Sequence, residues 1–210
     1  MRKTTVVRLR GAKFIDAVSQ NNTLLIMLLA ILLGVILGAL KIKNGSTDAI
    51  ATVAQSFNEY ILSRQNANLF KIFIKAVFVW LPYITAAFLC GTSLAGMATV
   101  PLISGYFGYT YGILSAYLYS TFSIQGIGFC MLIIIPSRVI TAFALMLACR
   151  ESFAFSLMMA KLTLHTKNGS YTYFDFKNYC LRYLFILLLM IASTLIDCLF
   201  FKAFGRFFNF

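Results

Sequence analysis

The chain has 210 residues, of which 60% are hydrophobic and only 11% charged, with a formal net charge of +12. This balance excludes an ordinary soluble domain; at about 20 residues per spanning helix it allows roughly four to six crossings and no sizeable soluble catalytic unit. The basic residues flank apolar runs and form no aromatic-interleaved patch, which argues against nucleic acid and for anionic lipid headgroups as their partner.

Residues 1–22 carry Arg2, Lys3, Arg8, Arg10 and Lys13 against the single acid Asp16. A hydrophobic run from Thr23 to Leu40 follows, longer than a signal-peptide core and without a small-residue cleavage site, so it reads as a retained first helix. The positive-inside rule then puts the N-terminus in the cytoplasm. Gly34 and Gly38 form a GxxxG pair within it. Asn44 to Asp48 make a turn with a helix cap at Thr47 or Asp48. Over 47–64, Ile50, Val53, Phe57 and Ile61 share one face while Gln55, Asn58, Glu59 and Ser63 share another. This external amphipathic helix is too polar to span. Its apolar face either packs on the membrane or the bundle, or docks an extracytoplasmic partner.

A second spanning helix is expected near 72–90, with Pro82 inside it and Trp80 and Tyr83 suited to an interface. Gly91-Thr92-Ser93-Leu94-Ala95-Gly96 then reads as a tight turn; its glycine spacing does not fit a nucleophile elbow. The third helix, near 97–119, places Ser104, Gly108, Gly112 and Ala116 four apart, on one face where another helix backbone can approach. It is rich in tyrosine, whose hydroxyls need partners. Ser120 to Gln125 is a short polar link. The fourth helix, near 126–149, contains Pro136 and Arg138, a proline and a guanidinium deep in apolar sequence.

Residues 150–180 read as a cytoplasmic loop with a short helix over 152–164. A six-helix version follows if this segment re-enters the membrane. His165, the sole histidine, has no ligand cluster near it in sequence, and neither metal nor cofactor is expected. Tyr171, Tyr173, Phe174 and Phe176 resemble an aromatic belt ahead of the last helix, near 181–201. Five helices put ten basic residues inside and seven outside, with Arg138 in the membrane. Helical rise sets Arg138 and Asp197 at similar depth. Two arrangements follow: an Arg138–Asp197 pair, or Arg138 in a wet cavity with Asp197 reaching the outer headgroups alone. Cys90, Cys130, Cys149, Cys180 and Cys198 are scattered in apolar surroundings and read as packing residues. The fold class is therefore all-α, a single integral membrane domain over 23–210 with about five spanning helices.

The Gly91–Gly96 stretch, the Gly105/Gly108/Gly112 helix, and Ile135-Pro136-Ser137-Arg138 leading to Ser152-Phe153-Ala154-Phe155-Ser156 resemble the stage II sporulation protein M family. Ser104-Gly105 and Ser137-Arg138 depart from the basic residue and the amides usual there. The resemblance implies a multipass membrane protein acting in forespore engulfment. It would hold peptidoglycan-degrading enzymes, partners similar to sporulation proteins D and P, at the septal membrane without being a hydrolase. The rival reading is a permease or transporter subunit with an intramembrane polar site at Pro136, Arg138 and Asp197, since broken helices and buried charges build such sites.

Overall fold

The computed structural model describes residues 3–45, 47–65, 68–163 and 176–205, with side chains over 22–45, 50–64, 68–160 and 176–205. The basic side chains from Arg2 to Lys13, the Thr47/Asp48 cap, His165, the aromatics Tyr171, Tyr173 and Phe174, and the tail from Arg206 lie outside the described residues. The elements are α1 (Lys3–Lys43), α2 (Thr47–Gln65), α3 (Leu69–Gly91), α4 (Gly96–Phe129), a π-helical turn (Cys130–Ile134), α5 (Ile135–Thr163) and α6 (Phe176–Phe204). Among the described residues there is no strand. Four helical stretches are long and apolar enough to cross a membrane: Asn22–Lys43, Leu69–Gly91, Gly96–Ala160 and Phe176–Phe204. Phe70, Phe78, Leu102 and Phe185 all stand exposed on them, a surface suited to lipid and a liability in water.

The third stretch is 65 residues long, about 98 Å at helical rise, some three times a hydrocarbon core. It does not run straight. Ser123 has φ 47° and ψ −121°, the backbone of the first central residue of a type II′ turn, and there the chain reverses. Beyond it Gly126 lies against the Leu118 carbonyl, and the Tyr119 hydroxyl reaches Cys130 Sγ at 3.6 Å. Cys149 Sγ approaches the Val100 carbonyl at 3.9 Å, although a straight helix would separate those residues by about 70 Å. The expected polar link at Ser120–Gln125 is thus a reversal centred on one residue.

Close approach of α1 to α4 organises the bundle. A Cβ on Gly108 or Gly112 would strike the carbonyl oxygen of Ile31 or Val35, and one on Gly34 or Gly38 would strike the carbonyl of Gly105 or Tyr109. The two small-residue faces read from sequence therefore meet each other. Ser104 is fully buried beside Met27, its hydroxyl turned back to the Pro101 carbonyl at 2.8 Å. Ala116, at the end of the row, is only half-buried.

Pro136 does not end a helix. A proline ring clashes with the carbonyl four residues back, here Leu132, and the π turn over Cys130–Ile134 widens the helix at that point so that it can continue. The segment 152–163, expected to be separate or re-entrant, prolongs α5 unbroken past Arg150 and Glu151. Ser152 and Ser156 are buried there, so this stretch belongs to the packed bundle and the fourth helix is longer than 126–149.

Candidate functional site

Two polar clusters interrupt the apolar core, one at each end. At the Arg150 end, Ser152 of α5 donates to the Ala87 carbonyl of α3 at 2.7 Å and touches the hydroxyls of Tyr179 and Tyr183. Tyr183 in turn donates to the Ala148 carbonyl at 3.1 Å, and Ser156 to the Ser93 carbonyl at 2.8 Å. Gly91 and Gly96 are needed because a Cβ on either would run into Ser152 or Ser156. Two of the stretches on which the resemblance was read, 91–96 and 152–156, are thus one contact. Buried Glu151 lies 2.6 Å from both Arg150 and Arg182. Every group here has an architectural partner, so the cluster reads as a staple.

The other cluster lies beneath α2. The proposed docking face is not free. Phe57 and Ile61 are buried against Tyr117, Leu118, Phe129 and Phe201, with Ile50 and Val53 packed at the margin. Burying these apolar side chains on the bundle is more favourable than leaving them in water, so of the two expected uses of Ile50, Val53, Phe57 and Ile61 it is packing on the bundle, and not a free partner-docking surface, that is seen. Arg64, at the end of α2, points inward. Its Nη2 lies 2.6 Å from the Asp197 carboxylate of α6, and both side chains are largely buried, at 8% and 13% exposure. Its guanidinium lies 4.0 Å from the Tyr60 ring centroid and 5.3 Å from that of Phe201. Burial, reinforced by Asp197, raises the Tyr60 phenol above its ordinary pKa.

Neither expected arrangement of Arg138 and Asp197 survives intact. Asp197 does not reach headgroups alone, and its ion-pair partner is Arg64. Its second oxygen accepts from the Ser137 hydroxyl at 3.1 Å. Arg138 lies over Trp80, 4.2 Å from the ring centroid. Among the described residues no carboxylate lies within salt-bridge distance of it. Trp80 is buried, serving as a wall for this cation and not as an interfacial anchor. Thr141 and Ser193 hydroxyls sit 2.7 Å apart, and both reach the Ser137 carbonyl, joining α5 to α6.

These groups surround a cavity of about 470 Å³ between α2, α3, α5 and α6. Ser137, Arg138, Trp80 and Thr141 line its interior, while Glu59, Lys75 and Val79 stand exposed around it. Of the sequence-singled residues, Arg138 and Asp197 both line this cavity, and Pro136 stands two positions before Arg138 in the chain. Ser104, Gly108, Gly112 and Ala116 serve the α1–α4 contact. Arg64 and Lys75 were missed; the available signal was a basic residue ending a helix whose apolar face had to be covered. Comparison with protein-family models, curated proteins and solved structures finds no match to this chain.

Proposed function

We propose that this chain is a five-pass protein of the cell membrane, its N-terminus cytoplasmic, acting as a non-enzymatic scaffold. It holds membrane-anchored peptidoglycan-degrading enzymes, similar to sporulation proteins D and P, at the septal membrane during forespore engulfment. Five passes follow when the long apolar stretch is counted as two arms meeting at Ser123. α2, the Ser123 turn and the end of α6 then share the outer side. The observation that carries the scaffold reading is the way α2 is held. Its inner face is latched by Phe57, Ile61 and the Arg64–Asp197 pair, while Gln55, Asn58 and Leu62 face outward. A fixed external helix loses little entropy when a partner settles on it.

The test is to photo-crosslink from Asn58 in native membranes and identify what is captured with the intact complex. Cell-wall hydrolases are expected. The second reading, a permease subunit, is favoured by the charged cavity around Arg138, since intramembrane ionisable groups mark solute or ion paths. Capture of an ATPase or a soluble binding protein in place of hydrolases would select it.

A further inference from the structure

The cavity beneath α2 carries a charge imbalance. Arg64, Lys75 and Arg138 supply three positive charges, and Glu59 and Asp197 two negative ones, which leaves one positive charge. Two of the cations are incompletely served. Arg64 Nη1 is buried with no hydrogen-bond partner among the described residues, and Arg138 lies on the face of Trp80 with no described carboxylate within salt-bridge distance. A guanidinium in a bilayer is costly unless an anion or water meets it, and planar guanidinium groups match phosphate oxygens in charge and geometry.

The cavity does not end at Trp80. From Trp80 and Thr194, shared by both, an apolar groove of about 480 Å³ runs between α3 and α6 toward the Arg150 end, past Ile84, Phe88, Leu187 and Leu184. Its α6 wall, from Thr194 to Cys180, covers about 21 Å of helix, somewhat more than one leaflet of a ~30 Å core and long enough for an extended acyl chain. Leu184 and Leu187 are exposed on the lipid-facing surface. A headgroup-sized charged cavity leading into an acyl-length greasy groove matches one molecule at both ends.

We propose that the α3–α6 cleft binds one anionic glycerophospholipid. Its phosphate rests on Arg138 with Lys75 at the rim and the charge of Arg64 behind, and one acyl chain lies in the groove. A monoanionic lipid neutralises the leftover charge, whereas a zwitterionic one adds a cation to a site already rich in them. Basic pockets between membrane helices favour anionic headgroups for this reason. The inference concerns binding alone and does not depend on the scaffold reading, while it assigns to a lipid the cavity that the permease reading assigns to a solute.

The experiment uses the full chain purified in neutral detergent and stripped of lipid, then titrated with phosphatidylglycerol, phosphatidylcholine or sodium phosphate and followed by native mass spectrometry. One phosphatidylglycerol per chain is expected, bound about tenfold or more tightly than phosphatidylcholine, and not displaced by millimolar phosphate. Arg138→Gln should lower its affinity by a similar factor and Arg138→Lys should recover part of the loss. Leu184→Trp, a change at an exposed position that crowds the groove, should weaken lipid binding in a folded protein even if Arg138→Gln fails to fold. Equal binding of the two lipids, displacement by inorganic phosphate, or full affinity in Leu184→Trp would overturn the proposal.

Discussion

Gly105 and Gly108 lie on the same helix, against the same neighbour, and have opposite expected responses to alanine. At Gly108 the new Cβ would fall on the backbone oxygen of Ile31, closer than such atoms approach in real structures. That oxygen belongs to a helix and has no rotamer to change. α1 must recede by about 1 Å to restore ordinary contact, loosening the adjoining Gly34 and Gly112 contacts with it. Overpacking of this kind costs about 1–3 kcal/mol, and the rigid obstacle places Gly108→Ala toward the upper end before the ~1 kcal/mol that alanine gains over glycine in a helix is subtracted. At Gly105 the nearest atom to the new Cβ is the Ala30 carbonyl oxygen at 3.5 Å, an ordinary contact, so most of the propensity gain should be kept. Unfolding of the purified variants in mixed micelles, monitored by helical circular dichroism, measures both. Gly108→Ala is expected to be destabilised by about 2 kcal/mol and Gly105→Ala to be neutral or stabilised by up to ~1 kcal/mol. Equal effects at the two sites, in either direction, would refute the packing argument.

Three further outcomes can be checked in the same way. Asp197→Ala strands the buried Arg64 guanidinium and should cost about 3–5 kcal/mol, whereas Arg64→Met with Asp197→Leu should cost much less; a double-mutant cycle with no coupling would rule out the pair. Ser123→Gly should stabilise the reversal by up to ~1 kcal/mol and Ser123→Ile should weaken it, because a β-branched residue resists positive φ; chemical denaturation gives the order. Cysteine placed at Leu62, which is 64% exposed, should react with an impermeant maleimide well above the parent background. Cysteine at Ile61, 8% exposed, should not, and similar labelling at both would mean that α2 is not seated as described.

Much of the fold was legible because the bilayer restricts the available structures. Backbone polar groups without water must be satisfied within helices, so apolar run length alone located most of them. The four-residue spacing of small residues identified one face of the α1–α4 contact, and Gly34 with Gly38 held the other half. The polar site was harder to read. Comparing Arg138 with Asp197 by depth along their helices put both at the right level, but depth says nothing about azimuth or about a third helix. Arg64 sits on a segment judged external, and a helix that folds back over the bundle can deliver its last side chain downward. The tyrosines drew notice on the third helix, yet the most connected ones are Tyr179 and Tyr183 on the last. Their partner Ser152 lies in a stretch read as a separate short helix of a cytoplasmic loop because Arg150 and Glu151 precede it. Those two charges remain in helix because Glu151 is paired with Arg182 as well as Arg150, a tertiary compensation invisible in local sequence.

The widened turn over Cys130–Ile134 has a steering effect. Each residue advances a helix by about 100°, so one surplus residue ahead of Pro136 turns everything after it by that amount relative to everything before. The half-pass nearer Ser123 can then keep Phe129, Cys130 and Ile133 against the α2 end, while the other half keeps Ser137 and Thr141 toward α6. Were the same residues wound as regular α-helix, the guanidinium of Arg138 would turn by about 100° away from the indole. The heading of one cation is thereby set by a count of residues, several positions upstream of the cation itself.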